Sequence, residues 1–350
     1  MTGRLGVAIV GCAHRPHAWS YARALVSSPM VRLIGIFDED PAIGEPLAAE
    51  FETDYFADAS ALISAAGVRG VVVCNATVGH RGLVELAAAH GRHVLCEKPL
   101  ATTLADGRAM ILACRQGGVQ LHSAFVTRFH PLVDWARQAL QAGELGDLIA
   151  VVAGNRGRPP LPPQYPSWIT TRSHSGGGAL IDHSVHLTDV LRHLSGAEVS
   201  LVSAEVDSAL WECGVDDMAL MSLRFDSGLV ASLDPSWSMA VGNPLDYDFY
   251  LRCLGTSGSL DVTDVAESLR LVSSQAGHGL RLVPFGIDVD ALMIGNFVAS
   301  MNAGEILLPG ADGEDGLRAL EVALAGYASA AQHVTVRLPW RSESSRSGSD

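Results

Sequence analysis

Two stretches of this chain place reactive side chains where packing alone does not ask for them. The first is SGGGALIDHSVHLTDVLRHLSG, residues 175–196. Read as a helix, it puts Leu180, Leu187, Leu191 and Leu194 on one face and Asp182, His186, Asp189 and His193 on another. Asp182 and His186 then sit one turn apart, near the helix start. A carboxylate beside an imidazole orients it and stabilises its protonated form. A histidine titrating near working pH is the usual general acid or base. Three readings of the stripe stand side by side: a solvated helix face, a metal site built from His174, Asp182, His183 and His186, or an acid–base pair facing a ligand. His and Asp are suitable ligands, but no cysteine or further acidic cluster lies nearby in sequence, so no metal is expected. The run Gly176–Gly178 lets the backbone pass close to a ligand or cofactor. The second stretch is VLCEKPLATT, residues 94–103, where an apolar strand runs straight into Glu97, Lys98 and Pro99. An isolated Glu–Lys pair at a turn is ordinarily two solvated charges.

A third stretch, VAIVGCAHRPHAWSYARAL, has a glycine directly after the first apolar run. Gly11, Cys12, Ala13, His14, Arg15 and Pro16 stand where a dinucleotide fingerprint would read G-x-G-x-x-G, and only the first glycine is kept. Ala13 adds a methyl where backbone and pyrophosphate approach. Pro16 suits the first turn of a helix but donates no N–H, so helix-terminus phosphate binding loses a donor; Arg15 could supply charge instead. Asp38 ends the second apolar run at about the 20-residue spacing of a ribose-binding acid. A carboxylate there accepts from the 2′- and 3′-hydroxyls and repels a 2′-phosphate, which favours NAD over NADP. The alternative is that Asp38 only caps its strand.

These residues need a frame. LGVAIV (5–10), VRLIGIF (31–37), GVVVCN (70–75), HVLCE (93–97) and GVQLHSAF (118–125) read as buried strands, separated by amphipathic stretches such as 80–91 and 103–118. That alternation implies a parallel sheet with helices on both faces. Gly91 and Gly117 fall where helix C-caps belong. After about residue 125 the pattern changes. A helix over 130–146, a strand from 147, a five-proline loop over 155–168 and a helix near 179–195 precede a train of period-two strands. In YDFYLRC, Tyr247, Phe249, Leu251 and Cys253 share one face; Asp248, Tyr250 and Arg252 share the other. Turn signals at FDSG and GTSGS favour antiparallel pairing. A helix over 314–331 and a closing strand in HVTVRLP complete the pattern. The expected fold is α/β: a doubly wound parallel sheet of Rossmann type over 1–124, then an α+β domain with a large, mostly antiparallel open sheet over 125–340. The polar end, 341–350, is expected to be a disordered tail.

Composition narrows the function. Of 350 residues, 48% are hydrophobic and 18% charged, as in a globular protein of two domains. Acidic residues outnumber basic ones 38 to 24, for a net charge of -14, so a polyanion such as nucleic acid is not an expected partner. No apolar run reaches the roughly 20 residues of a membrane span, and the N-terminus lacks a signal-peptide core. The six cysteines form no CxxC pair or zinc spacing; reduced thiols and a cytoplasmic location are expected. Met221, Leu223 and Phe225, against Leu220, leave apolar sheet residues that suggest burial in a homodimer or homotetramer.

Taken together, HGRHVLCEKPLATT and GGGALIDHSVHLTDVLRHLSG, with their separation, resemble the glucose–fructose oxidoreductase / inositol dehydrogenase (Gfo/Idh/MocA) family over residues 4–340. ATVGH resembles its strand-four loop, with Ala76, Thr77 and His80 as cofactor-side residues. FVTRFHP resembles its domain junction, with Arg128 in place. The resemblance implies that Glu97 contacts the cofactor region, that Pro99 fixes the turn, often through a cis peptide, and that Lys98 points its ammonium at the substrate. It implies an NAD(P)-dependent oxidoreductase acting on a secondary alcohol of a sugar, cyclitol or sugar acid. His186 is then the base, oriented by Asp182, and Lys98 steadies the developing alkoxide. His183, Arg128, Arg156, Trp168 and Arg172 are the candidate substrate contacts. Redox-assisted elimination with retained NAD, and a non-catalytic NAD-responsive regulator, are the alternatives. The GCAHRPH turn, His183 and the proline-rich loop depart from the family pattern.

Overall fold

The structure, a computed structural model, describes residues 4–340 apart from 244, 246, 264–267, 273–279 and 285. The expected tail at 341–350 lies outside the described residues. The first part of the chain alternates β1 (Leu5–Val10), α1 (Arg15–Ser27), β2 (Val31–Phe37), α2 (Pro41–Glu50), β3 (Asp54–Phe56), α3 (Ala59–Ser64), β4 (Val68–Val73), α4 (His80–Ala89), β5 (His93–Cys96), α5 (Leu104–Gly117) and β6 (Leu121–Ser123). There follow α6 (Pro131–Gln141), β7 (Leu148–Gly157), α7 (Arg172–Ser175), α8 (Ala179–Ser195), β8 (Val199–Asp207), β9 (Met218–Phe225), β10 (Val230–Asp234), β11 (Tyr247–Gly255), β12 (Ser259–Thr263), β13 (Ser268–Val272) and β14 (Leu280–Pro284). The described chain closes with α9 (Val289–Ala303), β15 (Ala311–Asp312), α10 (Gly313–Gln332) and β16 (Val336–Arg337).

Residues up to Phe129, with Pro160–Gly177 and Asp288–Leu320, form one compact unit; His130–Pro159, Gly178–Ile287 and the chain from Glu321 form the other. A single cut near 124 therefore does not separate them. The loop 160–177 and the helix α9 return to the first unit because their contacts are there.

In the first unit the strand order is β15-β6-β5-β4-β1-β2-β3, parallel except at β15. Strands one to six thus follow the Rossmann order, and the order reverses between β1 and β4. The strands are buried runs of Val, Ile and Leu because helices cover both faces. Phe297 and Met301 of α9 come so close to β4 that a Cβ on Gly70 would lie 2.7 Å from the Met301 sulfur. The cap of α5 is Gly118, at φ +63°, rather than Gly117. Gly117 is instead the last helical residue, where a Cβ would lie 2.5 Å from Ala88 O of α4.

In the second unit the sheet order is β12-β11-β7-β10-β9-β8-β16; β7 and β10 are its only parallel pair among the described residues. Phe249, Leu251 and Cys253 of β11 are buried while Arg252 is exposed, as the period of two requires. Met221, Leu223 and Phe225 are also buried within this chain, so they are core rather than a subunit face. Met221 reaches α8 and α10, where it and Leu180 crowd Gly326. Among the described residues, Val152, Leu220, Val230 and Leu254 are apolar and left exposed on the opposite face. No helix among the described residues is long and apolar enough to cross a membrane.

Candidate active site

The turn after β1 is fixed by its neighbours. Gly11 adopts φ +83°, and a Cβ there would lie 2.4 Å from Asn75 Cβ, so glycine is required. Its N–H donates to Phe37 O (2.8 Å), that of Cys12 to Asp38 Oδ2 (2.5 Å) and that of His14 to Cys74 O (3.0 Å). Pro16 has no N–H to give. Among the described hydrogen bonds none uses the N–H of Ala13, Arg15 or His17, so these are the donors a phosphate can find at the start of α1. Asp38 is buried at the end of β2 and takes the Asp40 N–H on its other oxygen (2.9 Å). A carboxylate has about four acceptor positions. Two are used, and two fit the hydroxyls of a ribose. Capping the turn and holding a ribose are therefore compatible roles for Asp38, and the residues present fit a dinucleotide.

Glu97 is buried directly after β5. Its Oε1 lies 2.7 Å from His17 Nδ1 and accepts from Tyr21 OH at 2.6 Å; Oε2 accepts the Lys98 N–H at 2.9 Å. Burial alone would raise the Glu97 pKa. The charge and hydrogen bond of His17, helped by His14 and Lys98, reverse this and hold the carboxyl well below the usual range. This anchored carboxylate fixes the turn that presents Lys98, which is half-buried and precedes Pro99 through a cis peptide. His80 braces the same turn. Its Nδ1 lies 3.1 Å from Leu100 O and its Nε2 3.2 Å from Asn75 O, and burial lowers its pKa. Ala76 and buried Thr77 begin the 3-10 turn before α4.

Two expected substrate contacts in this unit have partners within the fold. Trp168 donates its indole N–H to Ala13 O (2.9 Å) and meets the His14 ring edge-on, so it braces the dinucleotide turn. Arg128 is buried, with Gly310 O at 3.3 Å and Asp315 at 3.1 Å, and ties the chain after β6 to the start of α10. Arg172 is exposed at the start of α7.

In the second unit α8 carries the stripe, and it is not a solvated face: His186 and Asp189 are buried, and Asp182 is 23% exposed. Gly178 at its N-cap has no side chain to cap with. Asp216, from the loop before β9, supplies the cap: it accepts the N–H of Gly178 (2.9 Å) and of Leu180 (2.8 Å), and the Tyr327 hydroxyl (2.8 Å). Asp182 Oδ2 meets the indole N–H of fully buried Trp237 at 3.2 Å and His183 Nε2 at 3.2 Å. His183 is thus a partner of the carboxylate, and it fits because Gly157 has no Cβ, which would lie 2.8 Å from the ring. Arg156 makes two hydrogen bonds to Asp248 and lies over the Tyr250 ring. Among the described residues no group of three or more His, Cys, Asp or Glu is placed to hold a metal.

Residues 5–125 match the model of an oxidoreductase family with an NAD-binding Rossmann fold, and residues 133–261 match the GFO/IDH/MocA C-terminal domain. The chain belongs to the GFO/IDH/MocA family. As a member of it, this protein is an oxidoreductase whose cofactor is NAD. It is 30% identical over 283 residues to a myo-inositol 2-dehydrogenase of Thermotoga maritima, covering 78% of this chain and 80% of that one. It is 31% identical over 248 residues to a 2,7-anhydro-N-acetylneuraminate hydratase of Escherichia coli, covering 69% of this chain and 64% of that one. A crystal structure of a probable dehydrogenase from Thermotoga maritima superposes with a TM-score of 0.82 at 26% identity, over 95% of this chain and 99% of that one.

This GFO/IDH/MocA member also uses residues that pattern reading missed. His17, Tyr21, Asp216, Trp237 and Tyr327 hold Glu97, Asp182 and the start of α8. The spacing of His14 and His17, one helical turn, was a signal in the sequence. Asp216 left none, because it acts across 36 residues of chain.

Proposed function

We propose that the protein oxidises a secondary alcohol of a sugar, cyclitol or sugar acid, with Lys98, Asp182 and His186 acting on one substrate. The observation that carries this reading is Asp182 itself, a carboxylate held by a buried indole and a histidine, one helical turn before a buried histidine. Bound NAD supplies the hydride acceptor. His186 takes the hydroxyl proton, and Asp182 stabilises the imidazolium that results. The Lys98 ammonium, on its Glu97-anchored turn, hydrogen-bonds the same oxygen and favours the alkoxide. Arg128, Arg156, Arg172 and His183 meet the substrate's polar groups, and the Trp168 ring faces its apolar side. Asp38 supports NAD over NADP.

The Escherichia coli relative named as a hydratase favours a second reading, in which oxidation is transient and a group is eliminated. A panel of sugars, cyclitols and sugar acids with NAD and NADP, followed by absorbance of the reduced nicotinamide, separates the two. Net NADH accumulation supports the dehydrogenase; turnover without it supports elimination. Wild-type rates in Lys98→Ala would end both. We further propose a cytoplasmic homo-oligomer. The six unbridged cysteines and the exposed Val152, Leu220, Val230 and Leu254 support it, and light scattering tests the assembly.

A further inference from the structure

The dinucleotide turn lacks two of its glycines and carries two histidines, His14 and His17, whose ring centroids lie 3.8 Å apart. His17 is the third residue of α1, where the helix dipole already places positive partial charge. A cation there needs anions to offset it. One is Glu97, at 2.7 Å from Nδ1. With Nδ1 so engaged, Nε2 is the nitrogen a ligand can reach, and the His17 side chain is 34% exposed while Glu97 is 3% exposed. The imidazole also lies at the carboxyl ends of the parallel strands, beside the point where strand order reverses, and among the described residues three backbone N–H groups of the turn are available there.

We propose that His17 is a cofactor-binding residue: its imidazolium, anchored through Nδ1 to Glu97, hydrogen-bonds the pyrophosphate of NAD through Nε2 in place of the donors a glycine-rich turn would give. The inference rests on the NAD-binding assignment of this unit and names the residue that makes up for the altered turn. The groups facing His17 are Glu97 and Lys98 after β5, Asp290 on α9, and His14 and Tyr21 from its own cap and helix. Burial lowers the imidazole pKa. The charge and hydrogen bond of Glu97 raise it, Lys98 lowers it and Asp290 raises it, and the balance lies above the ordinary 6.5. A cation attracts the pyrophosphate, so affinity is highest below that raised pKa and falls as pH rises through it.

Calorimetric titration of the full chain with NAD, ADP-ribose and adenosine at about pH 6 and about pH 9 tests this. The expected result is tighter binding of NAD and ADP-ribose at the lower pH. His17→Gln should lose about tenfold to a hundredfold of that affinity, the range for a hydrogen bond to a charged group, together with its pH dependence. His17→Lys should bind equally well at both pH values. Adenosine, with no phosphate, should bind all three proteins alike. Unchanged NAD affinity in His17→Gln, or an equal loss for adenosine, overturns the proposal. If His17→Gln does not fold, His17→Lys decides: a pH decline equal to the wild type overturns it. No NAD binding by the wild type would overturn the cofactor assignment instead.

Discussion

Trp237 and His183 approach the same oxygen of Asp182, each at 3.2 Å. The indole is fully buried and cannot leave, so the carboxylate has a fixed bearing on α8. Trp237→Phe keeps most of the ring and removes the donor. A hydrogen bond to a charged group is worth about 1.5–3 kcal/mol. We expect kcat to fall by about tenfold to a hundredfold, its pH profile to shift, and NAD affinity to stay within about twofold. Steady-state kinetics across pH, with a parallel NAD titration, reads both.

Asp216 replaces the side-chain cap that Gly178 cannot provide. In Asp216→Asn the amide nitrogen must face a donor, either Leu180 N–H or the Gly178 N–H and Tyr327 hydroxyl. Urea unfolding should show a loss of about 1.5–3 kcal/mol. Tyr327→Phe, which leaves the Gly178 and Leu180 bonds to Asp216 in place, should cost less.

The His17–Glu97 pair gives a pH signature. The raised His17 pKa stabilises the fold fully below 6.5, and that contribution is lost as pH rises through the folded value. The depressed Glu97 pKa stabilises it above 4.5, and that contribution is lost as pH falls through its folded value. In Glu97→Gln only burial and Lys98 oppose a weak pull from Asp290. The His17 titration followed by NMR should then move from above 6.5 to below it. An unmoved titration would show that Glu97 does not set the charge of His17.

Asp38 offers two acceptor positions to a ribose and a negative charge against a 2′-phosphate. Asp38→Asn keeps an acceptor for Cys12 and removes the charge. The NAD-to-NADP ratio of kcat/KM should fall by about tenfold, on the scale of one lost charge interaction. A constant ratio would place cofactor choice elsewhere.

The sequence was most legible where periodicity and burial agree. β1, β2 and α8 lie where the apolar runs and the leucine stripe put them. α9 escaped notice because its apolar residues surround the helix rather than mark one face. Arg128 shows a different limit: its partners Gly310 and Asp315 lie far along the chain, and residue type alone does not name them. The charged turn at the tip of β5 was visible as Glu97-Lys98-Pro99. What orients it, His17 and Tyr21 on α1, depends on strand order, which no local pattern carries.

The first unit needs Asp288–Leu320 to be complete. Its sheet and turns are translated early, yet α9 and β15 leave the ribosome only after nearly the whole of the second unit has been made. The dinucleotide-binding half must therefore wait with part of its core uncovered during synthesis, and a version of this protein truncated after residue 129 should precipitate rather than bind NAD.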